Sequence, residues 1–406
     1  MFGCMRILFA DAVDPSTVET LAGRGHNCVV DPSLTSEELA RRIGGFQALV
    51  VRSTRVTAET ILAGEDLELI IRAGAGTNTI DVQAAAAVGI YVSNVPGRNS
   101  IAVAELTMGL LLAIDRRIPE GVADLRAGRW DKKTYSKADG LFGKSLGIVG
   151  MGDVGKAVAE RAAAFGMQVQ SIAKPKRSAQ TEALIRQLGI RLFDNLEELV
   201  AGSDVVSIHV PATPDTVGMF DARIIGLMKP GSILLNTARG DIVDAGALLA
   251  ALEAGQLRVG LDVYPDEPAA ATADWSSKLS QHPRVVGTHH IGASTEQAQR
   301  AIAEGVIEII DAYRRGEILH CVNLSSARLG NCTLHIRHFD RVGVLAQIFD
   351  VLRRNSLNVE QMENRVFTGS KAAVATINVV GDVTSEVVGS LMAIAEVLHV
   401  SHVLTD

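Results

Sequence analysis

The sequence predicts an α/β protein: two doubly wound parallel-sheet domains, one inserted in the other, followed by a smaller β-α-β-β-α-β unit. Three observations carry that expectation. Short β-branched runs alternate with helix-length stretches from residue 7 to residue 287, a pattern of parallel sheets covered on both faces. A second α/β run begins afresh at Leu146, and a later helical stretch, Ser294–Tyr313, returns the chain toward the first unit. Residues 330–406 then change to longer strand-like segments with only two helical ones.

In the first unit the strand candidates are Ile7–Ala10, Cys28–Val30, Ala48–Val51, Glu68–Arg72 and Ile90–Val92. Ser16–Gly23 and Ser36–Ile43 read as helices; Ser36 is expected to cap the second, and Arg41 and Arg42 suit its C-terminal dipole. Ser100–Asp115 sets Leu106, Leu110, Leu111 and Ile114 at helical spacing, and a charged stretch, Arg126–Lys137, follows. The second unit offers strands at Leu146–Val149, Gln168–Ile172, Ile190–Phe193, Val205–Val210, Ser232–Asn236, Val259–Asp262 and Arg284–Gly287. Asn323–Gly330 reads as a linker of small polar residues. The tail is expected as Thr333–His338, helix Val342–Arg354, strands Val359–Val366 and Ala373–Val380, helix Ser385–Glu396 and strand Val397–Leu404, a ferredoxin-like order. The expected domains are 1–98 with 293–325, then 99–292 inserted between them, then 330–406.

Composition excludes several classes. With 406 residues, 47% hydrophobic and 21% charged, the chain has material for sizeable cores and is not a disordered polyelectrolyte. A net charge of −7 and 4% aromatics argue against nucleic acid as a partner. Cys4, Cys28, Cys321 and Cys332 show no CxxC spacing and no paired histidines, so no metal site is expected and the thiols read as those of a reduced, cytoplasmic protein. The first residues, MFGCMRILFADAVD, read as a strand and not a signal peptide. No apolar run approaches the ~20 residues that cross a bilayer, so no membrane partner is expected.

The chemistry begins at Leu146-Gly147-Ile148-Val149-Gly150-Met151-Gly152-Asp153-Val154-Gly155, a strand entering a G-x-G-x-x-G turn before an alanine-rich helix from Lys156 to Phe165. Gly150 permits the tight turn, Gly152 the approach of a pyrophosphate and Gly155 close helix–sheet packing, while Asp153 and Val154 supply amides of the helix N-terminus. This is the fingerprint of a Rossmann dinucleotide site. At the end of the next strand, where a carboxylate would hold the adenosine ribose, the chain reads Ala173-Lys174-Pro175-Lys176-Arg177. Lys174 takes the acidic residue's place, and the three cations suit either NADP or a solvated basic loop in an NAD enzyme. The sequence leaves both open.

Three later motifs lie at carboxyl ends of expected strands: Leu235-Asn236-Thr237-Ala238-Arg239-Gly240, Asp262-Val263-Tyr264-Pro265-Asp266-Glu267-Pro268 and His290-Ile291-Gly292-Ala293-Ser294-Thr295. An Arg, a Glu and a His there could meet over one nicotinamide. With the glycine turn, these motifs resemble the D-isomer-specific 2-hydroxyacid dehydrogenases over nearly the whole chain, and most closely their D-3-phosphoglycerate-oxidising branch with a C-terminal ACT domain. The resemblance implies a flavodoxin-like substrate domain around the Rossmann domain. It implies His290 as acid–base at the substrate hydroxyl, Glu267 holding the other ring nitrogen, and Arg239 gripping the carboxylate and polarising the carbonyl. It also implies Asp262 at the nicotinamide carboxamide, with Thr237 and Ala238 beside the cofactor. One departure is His289, which stands where the family has proline, making two adjacent histidines.

On the substrate side the resemblance implies Arg52 and Ser53 toward a phosphate, the loop Arg72–Asn78 with Gly76 toward the carboxylate, and Asn99 and Gln299 facing the cleft. In the tail, His338, Asp340 and Asn358 match positions that bind an amino-acid effector, L-serine in many relatives. Val342 and Asp340 depart from the family's proline and asparagine, so the tail is read equally as a purely structural dimerisation unit. Two pairing surfaces imply a homo-oligomer, dimer or tetramer. The alternatives are a glyoxylate or hydroxypyruvate reductase, and a dehydrogenase-like protein that binds the cofactor as a sensor.

Overall fold

Five short parallel strands open the chain: β1 (Arg6–Phe9), β2 (Asn27–Val30), β3 (Ala48–Val51), β4 (Leu69–Arg72) and β5 (Tyr91–Asn94), in the order β2-β1-β3-β4-β5. This computed structural model describes residues 4–268, 272–325 and 330–404, so part of the expected linker, residues 326–329, lies outside the described residues. Strand β3, Ala-Leu-Val-Val, is buried throughout, because helices cover both faces and each side chain needs to be apolar. One face packs Leu8, Leu49 and Ile70 against Leu39, Phe46 and Ile61. The other packs Ile7, Phe9, Val50 and Ile71 against Ile302, Val306 and Ile310 of the helix Glu296–Arg314, far along the sequence.

Between those parts lies a seven-stranded parallel sheet: β6 (Ser145–Val149), β7 (Gln168–Ile172), β8 (Arg191–Phe193), β9 (Val205–Ile208), β10 (Ile233–Asn236), β11 (Arg258–Leu261) and β12 (Val285–Gly287). Its order is β12-β11-β10-β9-β6-β7-β8. The chain therefore runs outward from β6 in one direction and from β9 in the other, and ligands bind beyond the strand carboxyl ends at such a reversal. The helix Ser100–Arg116 covers one face, packing Leu110, Leu111 and Ile114 on Leu146, Ile148 and Leu235.

Several helix starts or caps differ from expectation, and the helices expected from Ser294 and Val342 begin at Glu296 and Val344. Helix Ser36–Arg42 is capped by Thr35, whose hydroxyl takes the Glu38 amide while the Glu38 carboxylate accepts from the Thr35 amide at 2.9 Å. The spacing Thr35-x-x-Glu38 makes this reciprocal box possible, and Ser36 instead donates to the Arg55 carbonyl. The helix after the glycine turn starts at Asp153, not Lys156, since Gly152 itself is the cap residue.

The chain divides into two compact units, Met1–Asn323 and Leu324–Asp406. The second holds an antiparallel sheet of β13 (Cys332–Phe339), β14 (Asn358–Val366), β15 (Ala372–Val380) and β16 (Val397–Leu404), ordered β14-β15-β13-β16. Helices Val344–Arg354 and Ser385–Met392 supply Ile348, Leu352, Val387 and Leu391 to its core.

Candidate active site

The glycine turn leaves β6 at the point where strand order reverses. Gly150 has φ +105°, and a Cβ there would lie 2.5 Å from the His209 carbonyl oxygen, so both conformation and space require glycine. Nothing lies within 4 Å of where a Gly152 Cβ would stand. Among the described residues no side chain caps the helix Asp153–Ala164 that begins there, which leaves its first-turn amides to an anion. Asp153 pairs with Lys156 at 2.9 Å, and Gly155 is buried against the strand. At the adjacent end of β9, burial pushes the His209 imidazole down to about 3. Its Nε2 meets the Ser207 hydroxyl at 2.7 Å, while Nδ1 is buried without a partner among the described residues. An open glycine cradle, uncapped amides and an orphaned ring nitrogen at the reversal fit a dinucleotide.

The ends of β10 and β11 bring the catalytic candidates together. The Asn236 side chain donates to the Arg239 carbonyl at 2.8 Å and accepts from the Ala238 amide at 3.0 Å, fixing the loop. Thr237 is buried, its hydroxyl paired with that of Thr107 at 2.9 Å. A Cβ on Gly240 would lie 2.5 Å from Pro265 N, so this loop and the Glu267 loop touch. Trp275 pins the second loop by stacking edgewise on Tyr264 at 4.9 Å and donating to the Asp266 carbonyl at 2.7 Å.

Glu267 accepts from the Tyr264 amide at 2.7 Å and meets His290 Nδ1 at 2.6 Å. Burial alone would raise the Glu267 carboxyl, but the His290 and Tyr264 hydrogen bonds, with His290 and Arg239 charge, hold it below its ordinary value. An ionised Glu267 makes Nδ1 the donor, which leaves His290 Nε2 as the proton acceptor. Of the two adjacent histidines, His290 is the one that meets Glu267. Its backbone sits at φ +53°, unusual for a residue with a side chain.

Asp262, which the family resemblance places at the nicotinamide carboxamide, also has a role within the protein. It is buried, and it accepts from Thr288 Oγ1 at 2.7 Å, the Ile291 amide at 2.8 Å and the Gly292 amide at 2.8 Å. Its carbonyl also receives the His290 amide at 2.8 Å. Asp262 therefore anchors the His290 loop, and most of its acceptor capacity is already filled.

Opposite lies a cluster of arginines. Arg239 packs directly over Gly76, where a Cβ would collide with its guanidinium. Among the described residues the amides of Ala75, Gly76 and Thr77 have no protein acceptor, so they and Arg239 form a ready anion site. Arg52 donates to the Gln299 side chain at 2.9 Å, and Gln299 in turn donates to the Ala293 carbonyl at 3.0 Å. Ser53 is exposed beside it. Asn99 precedes the helix Ser100–Arg116 without capping it by its side chain.

Asp11 escaped sequence reasoning, and Arg72 was read only as the first residue of the glycine loop. Asp11 gathers the amides of Arg52, Ser53 and Thr54 on one oxygen at 2.6, 3.1 and 3.1 Å, and so shapes the loop that presents Arg52. Arg72 is largely desolvated; burial, then the charges of Arg239 and Arg52, push it down to about 10, and its Nε is buried without a partner. Only its position at the end of an apolar strand, before a glycine loop, could have marked it.

In the second unit, His338 is buried with Nδ1 at the Phe339 carbonyl (2.8 Å) and Nε2 at Asn364 Oδ1 (3.1 Å), so both nitrogens are engaged within the unit. Asp340 and Asn358 are exposed, the latter donating to Glu360 at 2.6 Å. Among the described residues no cluster of His, Cys, Asp and Glu could hold a metal ion, and no helix is long and apolar enough to cross a membrane.

A family model described as D-isomer specific 2-hydroxyacid dehydrogenase, NAD binding domain, matches residues 108–292. The D-3-phosphoglycerate dehydrogenase of Methanocaldococcus jannaschii is 39% identical over 355 residues, 85% of this chain and 65% of that protein. The chain thus spans slightly less than two thirds of that relative's length. A protein of Thermus thermophilus with a solved structure is 36% identical, with a TM-score of 0.68, over 78% of this chain and 100% of that one. The NAD-dependent formate dehydrogenase of Staphylococcus aureus, solved with NAD, is 29% identical, with a TM-score of 0.67, over 80% of this chain and 100% of that one.

Proposed function

We propose that this chain, whose residues 108–292 match the NAD-binding domain of the D-isomer-specific 2-hydroxyacid dehydrogenases, acts as a member of that family and oxidises D-3-phosphoglycerate to 3-phosphohydroxypyruvate, the first step of serine biosynthesis. The observation that carries the reading is the Glu267–His290 pair standing with Arg239 over the open amides of the Gly76 loop. When bound, the nicotinamide of NAD or NADP supplies the hydride acceptor for C2. His290 Nε2 takes the hydroxyl proton as the C–O bond becomes a carbonyl, and returns it in the reverse direction. Glu267 keeps Nδ1 protonated and stabilises the charge that His290 acquires. Arg239 and the amides of residues 75–77 hold the carboxylate and orient C2.

Arg52, Ser53 and Arg72 hold the phosphate, a dianion that suits two guanidinium groups and a hydroxyl. Asn99 and Gln299 complete the cleft, Gln299 by fixing Arg52. We assign residues 1–98 with 293–325 to substrate binding and 99–292 to the dinucleotide. Residues 330–406 we read as an ACT regulatory domain of a cytoplasmic homo-oligomer, dimer or tetramer. L-serine is its expected effector, held by Asp340 and Asn358, since His338 is committed internally.

A substrate panel followed by nicotinamide absorbance tests the reading. D-3-phosphoglycerate should exceed D-glycerate and D-lactate in kcat/KM by roughly tenfold or more, the value of one charged contact. Equal or better turnover of an unphosphorylated acid would overturn the phosphate assignment.

A further inference from the structure

We propose that this chain selects the 2′-phosphorylated cofactor, NADP(H), through a cationic pocket at the end of β7 formed by Lys174, Arg177 and Arg186. The proposal rests on the reading of the chain as a nicotinamide-dependent dehydrogenase and specifies which dinucleotide it takes.

Strand β7 lies beside β6, and the glycine turn leaves β6, so the adenosine ribose of a bound dinucleotide falls at the end of β7. A carboxylate at that point would hydrogen-bond the 2′-hydroxyl and repel a 2′-phosphate. From Ser171 to Ser178 the chain has no Asp or Glu. The space there is a cavity of about 410 Å3, lined by Lys174, Arg177 and Arg186, with Glu182 as its one acidic wall. Glu182 lies 3.9 Å from Arg186, which leaves the cations in excess.

Arg186 comes from the following helix, Ala179–Leu188, and no local motif joins it to Lys174. Arg177 is held in place: its guanidinium donates to the Ile172 carbonyl at the strand end. The other terminal nitrogen, Nη1, is buried without an acceptor among the described residues. A buried cationic donor left unpaired is costly, and a phosphate dianion is the ligand that would satisfy it. The backbone is shaped to produce this. Lys176 adopts φ +57°, a left-handed conformation that turns the chain back and aims Arg177 at the strand end. A merely solvated basic loop requires neither the reversal nor a guanidinium nitrogen buried without an acceptor. The substrate anion is not the intended guest, because β9 and β6 separate β7 from β10, whose end carries Arg239.

The test is equilibrium binding without substrate, titrating NADPH and NADH separately against their nicotinamide fluorescence, with 2′,5′-ADP and 5′-AMP as probes that lack the nicotinamide. NADPH should bind about tenfold or more tighter than NADH, and 2′,5′-ADP tighter than 5′-AMP. Arg177→Gln, which keeps a donor for Ile172, and Arg186→Ala should each weaken NADPH far more than NADH. Lys174→Asp should reverse the preference. NADH binding as tightly as NADPH, with turnover intact, would overturn the cofactor assignment while leaving the dehydrogenase reading standing. Failure of both dinucleotides to bind a folded protein would overturn the two together.

Discussion

At the ends of β3, β4 and β10 the guanidinium groups of Arg52, Arg72 and Arg239 gather, and burial followed by the charges of Arg239 and Arg52 pushes Arg72 down to about 10. At the end of β7 the chain also gathers cations, but Lys174 and Lys176 stand exposed and only Arg177 is partly buried. The two proposed roles carry different consequences. If the first cluster holds the substrate's anionic groups as proposed, a bound anion relieves the cost of burying Arg72 between two other cations, and substrate choice should depend strongly on it. Charges facing solvent interact through a high dielectric and are screened by salt, so the second cluster, in the role proposed for it, should grade one cofactor against another.

The sharpest division between binding and chemistry lies outside both clusters. His290→Ala should lower kcat by about 10²–10⁴-fold, the usual worth of a positioned acid–base, with a smaller change in KM. Steady-state kinetics checks this, and a kcat near wild type would remove His290 from the reaction. Next come Arg72→Ala and Arg239→Ala. Each should raise KM for the phosphorylated acid by roughly 30-fold or more, because each leaves a charged substrate group unpaired in a partly buried site. Arg239→Lys should rescue little, since an ammonium cannot reproduce the planar fork. A substitution at Arg72 that spared KM would make the buried cluster structural.

Salt separates the clusters directly. As the screening length contracts from about 10 Å at 0.1 M to about 3 Å at 1 M, NADPH affinity should fall severalfold while substrate KM rises less. Parallel losses would show the two to be equally exposed. The smallest effect concerns a structural pair that serves as reference. Burial would raise the Asp204 carboxyl, but Lys229 at 2.8 Å and the Ser145 amide and hydroxyl more than offset it, taking it from 3.8 to about 2. A carboxyl lowered by folding adds stability that is full above pH about 4 and lost as pH falls toward 2. The pair is about a third exposed, so the contribution is on the order of 1 kcal/mol. Thermal melts of Asp204→Asn against wild type should converge at low pH.

What the sequence disclosed follows the range of each signal. The glycine turn was legible because its three glycines answer to a local backbone requirement. The Arg239, Glu267 and His290 motifs were legible as strand-end residues, and the chain brings Glu267 and His290 within 2.6 Å across 23 positions. Thr35-x-x-Glu38 was equally local and was misjudged by one residue, a matter of which hydroxyl reaches the third amide. Asp11 was not legible, and Arg72 was legible only as the first residue of the glycine loop. Asp11 acts on amides about forty residues away, and the lowering of Arg72 combines burial with the charges of two other arginines that folding alone brings near. Asp262 was read as a cofactor ligand from the family resemblance, and its second task of holding the His290 loop was not legible. Its engagement by Thr288, Ile291 and Gly292 depends on how β11 and β12 pair, which a linear pattern does not encode.

The left-handed backbone at His290 sets stability against activity at a single position. Asparagine and glycine occupy that conformation at less cost, so His290→Asn should melt no lower than wild type, and His290→Gly should relieve the backbone despite losing the side chain, while both abolish turnover. Under the role proposed for His290, selection for catalysis would hold this residue against a backbone preference for asparagine or glycine. In a lineage relieved of that selection, this is the place where the activity is expected to be lost first.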